Sequence, residues 1–336
     1  MMSHRIKLIW VLTLMMTILL VLVRGCGMMK SSVLAKYRND VQLGFKATKV
    51  EHPHYKLAKE CLVKAIGFSG TDDFESVAIS GPTGVGKSTL CRAFRDEVNS
   101  QVPPNSDELP VVVITAKNVT TPKSFFSALL YELGDIEPTK GTSEDMRIRL
   151  RILMQGRGVL MIIIDEFQDL FEGYTGEKAF KTAMFYKGFM KETLIPIVIA
   201  GTESVEHVLQ VDGQFHRLYN LYRIPSFSID TQQDTEYYKY FVDKLMKRSP
   251  LPSSVVFEGK MLERLFLATG GSMALLKKLI TEAIHVAQKR DCTELSKEIF
   301  ADAFSSYFKL RETQLGFNPF LATSQQLNKK LMRGVI

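Results

Sequence analysis

Gly81, Gly86, Lys87 and Ser88 stand at the spacing G-x-x-x-x-G-K-[ST], written in this chain as GPTGVGKS. Each residue type has a task at a phosphate. Glycines let backbone N–H groups close around an anion, a lysine ammonium neutralises β- and γ-phosphate charge, and a serine hydroxyl completes a Mg²⁺ shell. The expected nucleotide contacts are Gly81, Pro82, Thr83, Gly84, Val85, Gly86, Lys87, Ser88 and Thr89, with ATP and Mg²⁺ as the bound species. Asp165 and Glu166 follow an apolar run. The aspartate can share the Mg²⁺ shell with Ser88, and the glutamate is placed to orient or deprotonate an attacking water. That pair points to hydrolysis rather than phosphoryl transfer to a metabolite. Thr202, in IVIAGTES, offers a hydroxyl that could sense the γ-phosphate or the water. Arg217, in DGQFHRLYNLYRIP, is a candidate for the nucleotide site of a neighbouring subunit, and Arg223 is its rival. Such an arginine is worth roughly 10³–10⁵ in rate where it operates.

Strands and helices must bring these side chains together. Val77, Ala78 and Ile79 read as a buried strand entering the glycine-rich loop, and Leu90, Ala93 and Phe94 repeat at helical spacing after it. Val111 to Thr115 is a second strand, after turn formers from Asn99 to Pro110. Thr121-Pro122 opens a helix that stops at Gly134, a proline start with a glycine stop. Another helix begins near Ser143, with Glu144 and Asp145 in its first turn, and runs to about Gln155. Val159 to Ile164 is apolar throughout, as a strand buried on both faces of a parallel sheet must be. Glu177 to Glu192 reads as helix, Pro196 to Ala200 as strand, and a further strand is expected at IPSF, Ile224 to Phe227. This alternation predicts a parallel α/β sheet. After Phe227 the pattern is helical: Thr235 to Met246, Lys260 to Thr269, Met273 to Gln288 and Ser296 to Phe308. Arg311 to Ile336, with NPF at Asn318 to Phe320, reads as a polar tail. The expected divisions are 1–29, a hydrophobic N-terminal segment; 30–70, an arm and helix; 71–230, the nucleotide-binding domain; 231–310, a helical lid; and 311–336, the tail.

With 336 residues, 46% of them hydrophobic, the chain can bury a large core. Its net charge of +7 suits a polyanionic partner. Cys26, Cys61, Cys91 and Cys292 are scattered with no C-x-x-C pair, which fits reduced thiols in the cytoplasm. His52 and His54 fall in a pre-domain loop without the Cys or carboxylate neighbours of a metal site. Leu8 to Val23 is an uncharged apolar run between Lys7 and Arg24. It is shorter than the roughly 17–25 residues of a spanning helix and matches a signal h-region in length. Export would part a nucleotide-dependent protein from ATP, leaving a short cytoplasm-facing anchor or translation from Met28 or Met29. The charged sequence from Lys30 favours the second.

Lys117, Lys123, Lys140, Arg147 and Arg151 cluster between the second strand and the Asp165-Glu166 strand. Arg147 and Arg151 are one helical turn apart, and Lys123 and Thr142 fall at helix N-termini, where side chains and backbone N–H groups both meet phosphates. Lys123, Lys140, Thr142, Arg147 and Arg151 are the candidate contacts to double-stranded DNA. No base-reading motif accompanies them, so the expected binding is independent of sequence.

The order of parts resembles the AAA+ ATPases: P-loop, a DE Walker B strand, a polar sensor strand, an arginine and a helical lid. More narrowly, the chain resembles the TniB/TnsC family of DNA-transposition regulators through SGPTGVGKS, IIIDEFQDL, IPIVIAGTES and the D-x-Q-x-x-R segment Asp212 to Arg217. The resemblance spans about Phe45 to Phe308. It implies an α/β AAA+ P-loop NTPase with a parallel sheet flanked by helices and a C-terminal helical lid. It also implies an ATPase that acts as a switch. The ATP-bound homo-oligomer, ring or filament, would form on DNA and recruit or activate a transposase beside a target-selection protein, and hydrolysis would release it. DNA contacts at Lys123 and Thr142 are part of what the family implies. One departure is visible: GGSMALLKKL offers Ala274 and Leu275 where many AAA+ lids carry an arginine. A P-loop kinase would need acceptor and lid arginines, which Gly270 to Leu276 does not supply. A membrane-anchored AAA+ ATPase of secretion or envelope assembly is the alternative, resting on the apolar N-terminus.

Overall fold

Five short strands pair in parallel: β1 (Ser76–Ser80), β2 (Val111–Thr115), β3 (Met161–Asp165), β4 (Ile197–Gly201) and β5 (Tyr219–Arg223), in the order β2-β3-β4-β1-β5. The computed structural model describes residues 44–117, 119, 121–171 and 176–332. The chain divides into Met1–Gly44 and Phe45–Ile336, and the sheet with its helices makes up the second unit. The apolar run Leu8 to Val23, Cys26 and the arm from Lys30 lie outside the described residues, and with them the membrane-anchor expectation. Among the described residues no helix is long and apolar enough to cross a membrane.

Every residue of β1, β3 and β4 is buried. That is why their apolar runs are unbroken, since helices cover both faces of the sheet. The period-2 geometry of a strand sends alternate residues to opposite faces. Val77, Ile79, Met161, Ile163, Val198 and Ala200 join one core, and Ala78, Ile162, Ile164, Ile197 and Ile199 join the other. The first core is closed by α1 (Pro53–Gly67), α2 (Lys87–Asn99), and the C-terminal helices α8 (Gln232–Met246), α9 (Met261–Thr269), α10 (Met273–Lys289) and α11 (Lys297–Tyr307). The second is closed by α3 (Pro122–Glu132), α4 (Ser143–Gly156) and α5 (Glu177–Thr193), with the short α6 (Ser204–Leu209) and α7 (Gly213–His216) after β4. Reciprocal side-chain to backbone bonds start two of these helices, Thr121 with Ser124 for α3 and Thr142 with Asp145 for α4.

Two expectations need correction. The strand placed at Ile224 to Phe227 lies earlier, at Tyr219–Arg223, and pairs with β1 along its whole length. As an edge strand it buries only Tyr219 fully, so hydrophobicity does not mark it. Ile224 and Phe227 are apolar because they fill the core beyond its end. The stretch read as a polar tail carries α12 (Lys309–Leu315) and α13 (Ser324–Met332), with Phe320 and Leu327 fully buried. Phe320 stacks on Phe300 at 5.7 Å, and Asn318 Nδ2 donates to Ala301 O and Ser305 Oγ at 2.9 Å each. Leu315, Phe320, Ala322 and Leu327 are buried at irregular spacing while Leu321 and Met332 are exposed, so no periodic apolar face marks the stretch.

Candidate nucleotide site

The P-loop leaves β1 at Gly81, where a side chain would put Cβ 2.1 Å from Ile224 O, so backbone lies directly on backbone. Gly86 caps α2 without a side chain, leaving the first-turn N–H groups facing the loop. Lys87 is 6% exposed, and its ammonium donates to Gly81 O at 2.7 Å and Pro82 O at 2.9 Å. Burial lowers its pKa, opposed by the charges of Glu166 and Asp165. Thr83, Gly84, Gly86, Ser88 and Thr89 line the same cavity, of about 270 Å³. Its other wall is apolar and comes from Val50, His52 and Tyr55 before and at the start of α1, Phe241 of α8 and Met273 of α10.

The Ser88 hydroxyl donates to Asp165 Oδ1 at 3.0 Å. Asp165 is 2% exposed, and burial raises its pKa while the Ser88 bond opposes the rise. Among the described residues no group of three or more His, Cys, Asp or Glu could hold a metal. One buried carboxylate beside one hydroxyl is the donor set that suits Mg²⁺, which keeps most of its ligands as water and phosphate oxygens. The expected residues therefore fit the expected ion.

Glu166 follows in the left-handed region, φ 55° and ψ 41°. A non-glycine residue there stores roughly 1–3 kcal/mol of strain. Its Oε2 accepts from Gln168 Nε2 at 2.7 Å, and Gln168 Oε1 accepts from the Thr202 backbone N–H at 3.0 Å. The Thr202 and Ser204 hydroxyls are 2.6 Å apart. The carboxyl ends of β1, β3 and β4 thus bring Ser88, Asp165, Glu166 and Thr202 to one edge of the sheet. Sequence reasoning did not single out Gln168; its signal is a polar residue two positions after the acidic pair.

The rival arginines occupy opposite ends of β5. Arg223 pairs in register with Ser80, beside the P-loop. Its Nε donates to Glu206 Oε1 at 2.7 Å, and Ser80 Oγ donates to the same oxygen at 2.6 Å. The Arg223 and Ser80 bonds together push the Glu206 carboxyl down to about 2. Arg217 is exposed at the C-terminus of α7, before the strand begins. A five-residue strand spans roughly 13 Å, so Arg217 stands about that far from the end that holds this chain's own P-loop.

The lid meets the P-loop through backbone: Ala274 N–H donates to Gly84 O at 3.0 Å. Lys277, one turn later, donates to Thr48 O and lines the cavity, and burial lowers its pKa. His52, in the loop before α1 as expected, also lines this cavity. Its Nδ1 accepts from Tyr55 N–H at 3.3 Å, capping α1, and it is 2% exposed among Tyr55, Phe227 and Phe241. Cys61, Cys91 and Cys292 are free thiols.

In the candidate DNA face, α3 and α4 pack together. Lys123, in the first turn of α3, and Arg151 are exposed, and no ion pair among the described residues involves them. Lys140 pairs with Glu137 at 2.9 Å. Arg147 pairs with Glu144 at 2.7 Å and Glu192 at 2.8 Å, so its charge is already matched. Thr142 is exposed, but its hydroxyl serves the Asp145 cap.

A family model described as "Bacterial TniB protein" matches residues 47–229. No curated protein matches the chain. Among solved structures it is similar to the ORC2 protein of Aeropyrum pernix in ADPNP–ADP complexes, at 14% identity and a TM-score of 0.57, over 78% of this chain and 70% of that one. It is similar to the ORC1 protein of the same organism in complex with DNA, at 16% identity and a TM-score of 0.57, over 79% of this chain and 68% of that one. Cdc6p from Pyrobaculum aerophilum aligns at 14% identity and a TM-score of 0.56, over 88% of this chain and 89% of that one. At such identities the likeness is one of fold, that of the AAA+ ATPases.

Proposed function

The chain belongs to the bacterial TniB family, and from that premise we propose that it is an ATP-dependent, DNA-binding AAA+ regulator of transposition. One observation carries the reading: the hydrogen-bonded series Ser88–Asp165 and Glu166–Gln168–Thr202 at the carboxyl edge of β3 and β4, from which Ser88 and Glu166 line the P-loop cavity. Gly81 to Thr89 hold the triphosphate, Lys87 offsets its β/γ charge, and Ser88 and Asp165 hold Mg²⁺. When bound, Mg²⁺ neutralises charge developing on the phosphate oxygens. Glu166 takes the proton of the attacking water or orients it, and Thr202 reports the γ-phosphate.

Arg217 supports a shared site. Its place at the far end of β5 removes it from its own nucleotide and leaves it free to face a neighbour's, so a homo-oligomer completes the catalytic set. Lys123 and Arg151 are the strongest DNA candidates, because their charges meet no acid among the described residues, with Lys140, Thr142 and Arg147 on the same pair of helices and the turn between them. ATP binding assembles protomers on duplex DNA without base readout, the assembly recruits or activates a transposase together with a target-selection protein, and hydrolysis releases it. The Aeropyrum pernix ORC1 complex with DNA, on the same fold, agrees with that partner class.

The test is Glu166→Gln. ATP binding should persist, turnover should fall about 10²-fold or more, and complexes formed on DNA with ATP should stop dissociating. A variant that hydrolyses ATP at the parent rate would sink the assignment.

A further inference from the structure

Gln168 is the side chain that joins the two halves of the hydrolytic edge. It lies in the 3₁₀ turn Phe167–Leu170, which is anchored by the buried Phe167 and Leu170. Its amide uses both ends: Nε2 donates to Glu166 Oε2 at 2.7 Å and to Asp169 Oδ1 at 3.3 Å, while Oε1 accepts from Thr202 N–H at 3.0 Å. Only an amide offers an acceptor on one side and a donor on the other at this length. The surrounding chain makes room for it. A Cβ at residue 201 would lie 2.2 Å from Gln168 Oε1 and 2.6 Å from Val205 Cγ2, so Gly201 is glycine where the amide passes. Glu166 itself is held in a strained left-handed conformation, and the Gln168 bond fixes its carboxylate in that pose.

We propose that Gln168 is a positioning residue that couples γ-phosphate sensing at Thr202 to the orientation of the Glu166 carboxylate. This rests on the reading of Glu166 as the group that handles the water. A contact that draws the Thr202 segment toward the γ-phosphate pulls on the N–H that Gln168 Oε1 accepts, and the same rigid amide turns the Glu166 carboxylate. Gln168 touches neither phosphate nor water, and no bond to it forms or breaks.

The experiment separates steady-state kcat from affinity for a fluorescent ATP analogue in four single variants and one double. Gln168→Ala should lower kcat by about 10-fold or more with analogue affinity unchanged, because general-base catalysis worth roughly 10²–10⁴ needs an aligned base. Thr202→Ala removes the hydroxyl proposed to meet the γ-phosphate but keeps the N–H that donates to Gln168, so it should also be slow. Gln168→Ala/Thr202→Ala should be no slower than the worse single variant, since the two interrupt one series at successive steps. Gln168→Glu preserves shape but sets two carboxylates side by side. The donated N–H is then replaced by a second carboxylate facing Glu166 Oε2. The kcat should therefore fall at least as far as in Gln168→Ala with analogue affinity unchanged, whereas a merely space-filling residue would tolerate the isostere. If Glu166→Gln hydrolyses like the parent, the hydrolytic assignment fails. If Glu166→Gln is slow but Gln168→Ala matches the parent, or the double variant is multiplicatively worse, or Gln168→Glu turns over like the parent, Gln168 is structural and the coupling is refuted.

Discussion

Replacing His52 by asparagine tests how the nucleotide pocket depends on a neutral imidazole. Burial, reinforced by the charge of neighbouring His54, pushes His52 from its usual 6.5 down to about 4. The structure supplies the reason: His52 is 2% exposed, and its Nδ1 is committed as an acceptor to Tyr55 N–H. A proton on Nδ1 would break the α1 cap and place a charge among Tyr55, Phe227 and Phe241. Between 6.5 and about 4 the unfolded chain therefore binds a proton that the native site refuses. Stability that is complete above pH 6.5 is lost as pH falls towards pH 4. The gap corresponds to about 3 kcal/mol at 1.36 kcal/mol per pH unit, of which about 2 kcal/mol is gone by pH 5. Asparagine keeps a capping acceptor without titrating. Urea unfolding of parent and His52→Asn at pH 7.5 and pH 5 should show the parent losing about 2 kcal/mol more than the variant. Equal losses in the two proteins would refute the burial argument for His52.

The other expectations concern the two surfaces that the proposed assembly needs. Arg217→Ala should bind nucleotide normally but lose ATPase, and mixing it with Lys87→Ala should restore part of the activity; co-assembly without rescue would turn attention to Arg223. Lys123→Ala should weaken binding equally on two unrelated duplexes and reduce the log–log salt slope by about 0.9 for each phosphate it no longer neutralises. Anisotropy titrations across a salt series check this, and unchanged binding for both Lys123→Ala and Arg151→Ala would leave the α3–α4 face merely solvated.

The sequence was most legible where function needs consecutive residues. Gly81 to Ser88 must be contiguous to wrap a phosphate, and Asp165-Glu166 must directly follow a doubly buried strand, so pattern and chemistry coincide. The chain was least legible where a residue acts through a partner distant in sequence. Gln168 matters because Thr202 lies within 3.0 Å, which only the β3–β4 pairing brings about. His52 belongs to the site because the start of α1 packs beside α8 and α10 around the cavity, an arrangement that no local periodicity encodes. Phe320 escapes detection for the same reason: its partners Phe300 and Phe304 belong to α11.

Register separates Arg217 from Arg223, although both flank one five-residue strand. Parallel pairing with β1 puts Ser80 opposite Arg223 and Ser76 opposite Tyr219, so the strand's two ends face different chemistry. Arg223 falls beside the P-loop, where Glu206, itself bonded to Ser80, matches its charge. Ser80 Oγ already donates to the same Glu206 oxygen, so Arg223 shares that carboxylate with the P-loop strand, although its own side chain stays exposed to solvent. Arg217 has no such tie among the described residues and precedes the end of the strand opposite to Ser80 and the P-loop. The two positions therefore differ in what they touch: Arg223 is bonded to Glu206 beside the P-loop strand, and Arg217 is exposed with no side-chain bond among the described residues. For that reason Arg217 is the residue proposed to reach a second copy, and Arg223 is the variant to test next.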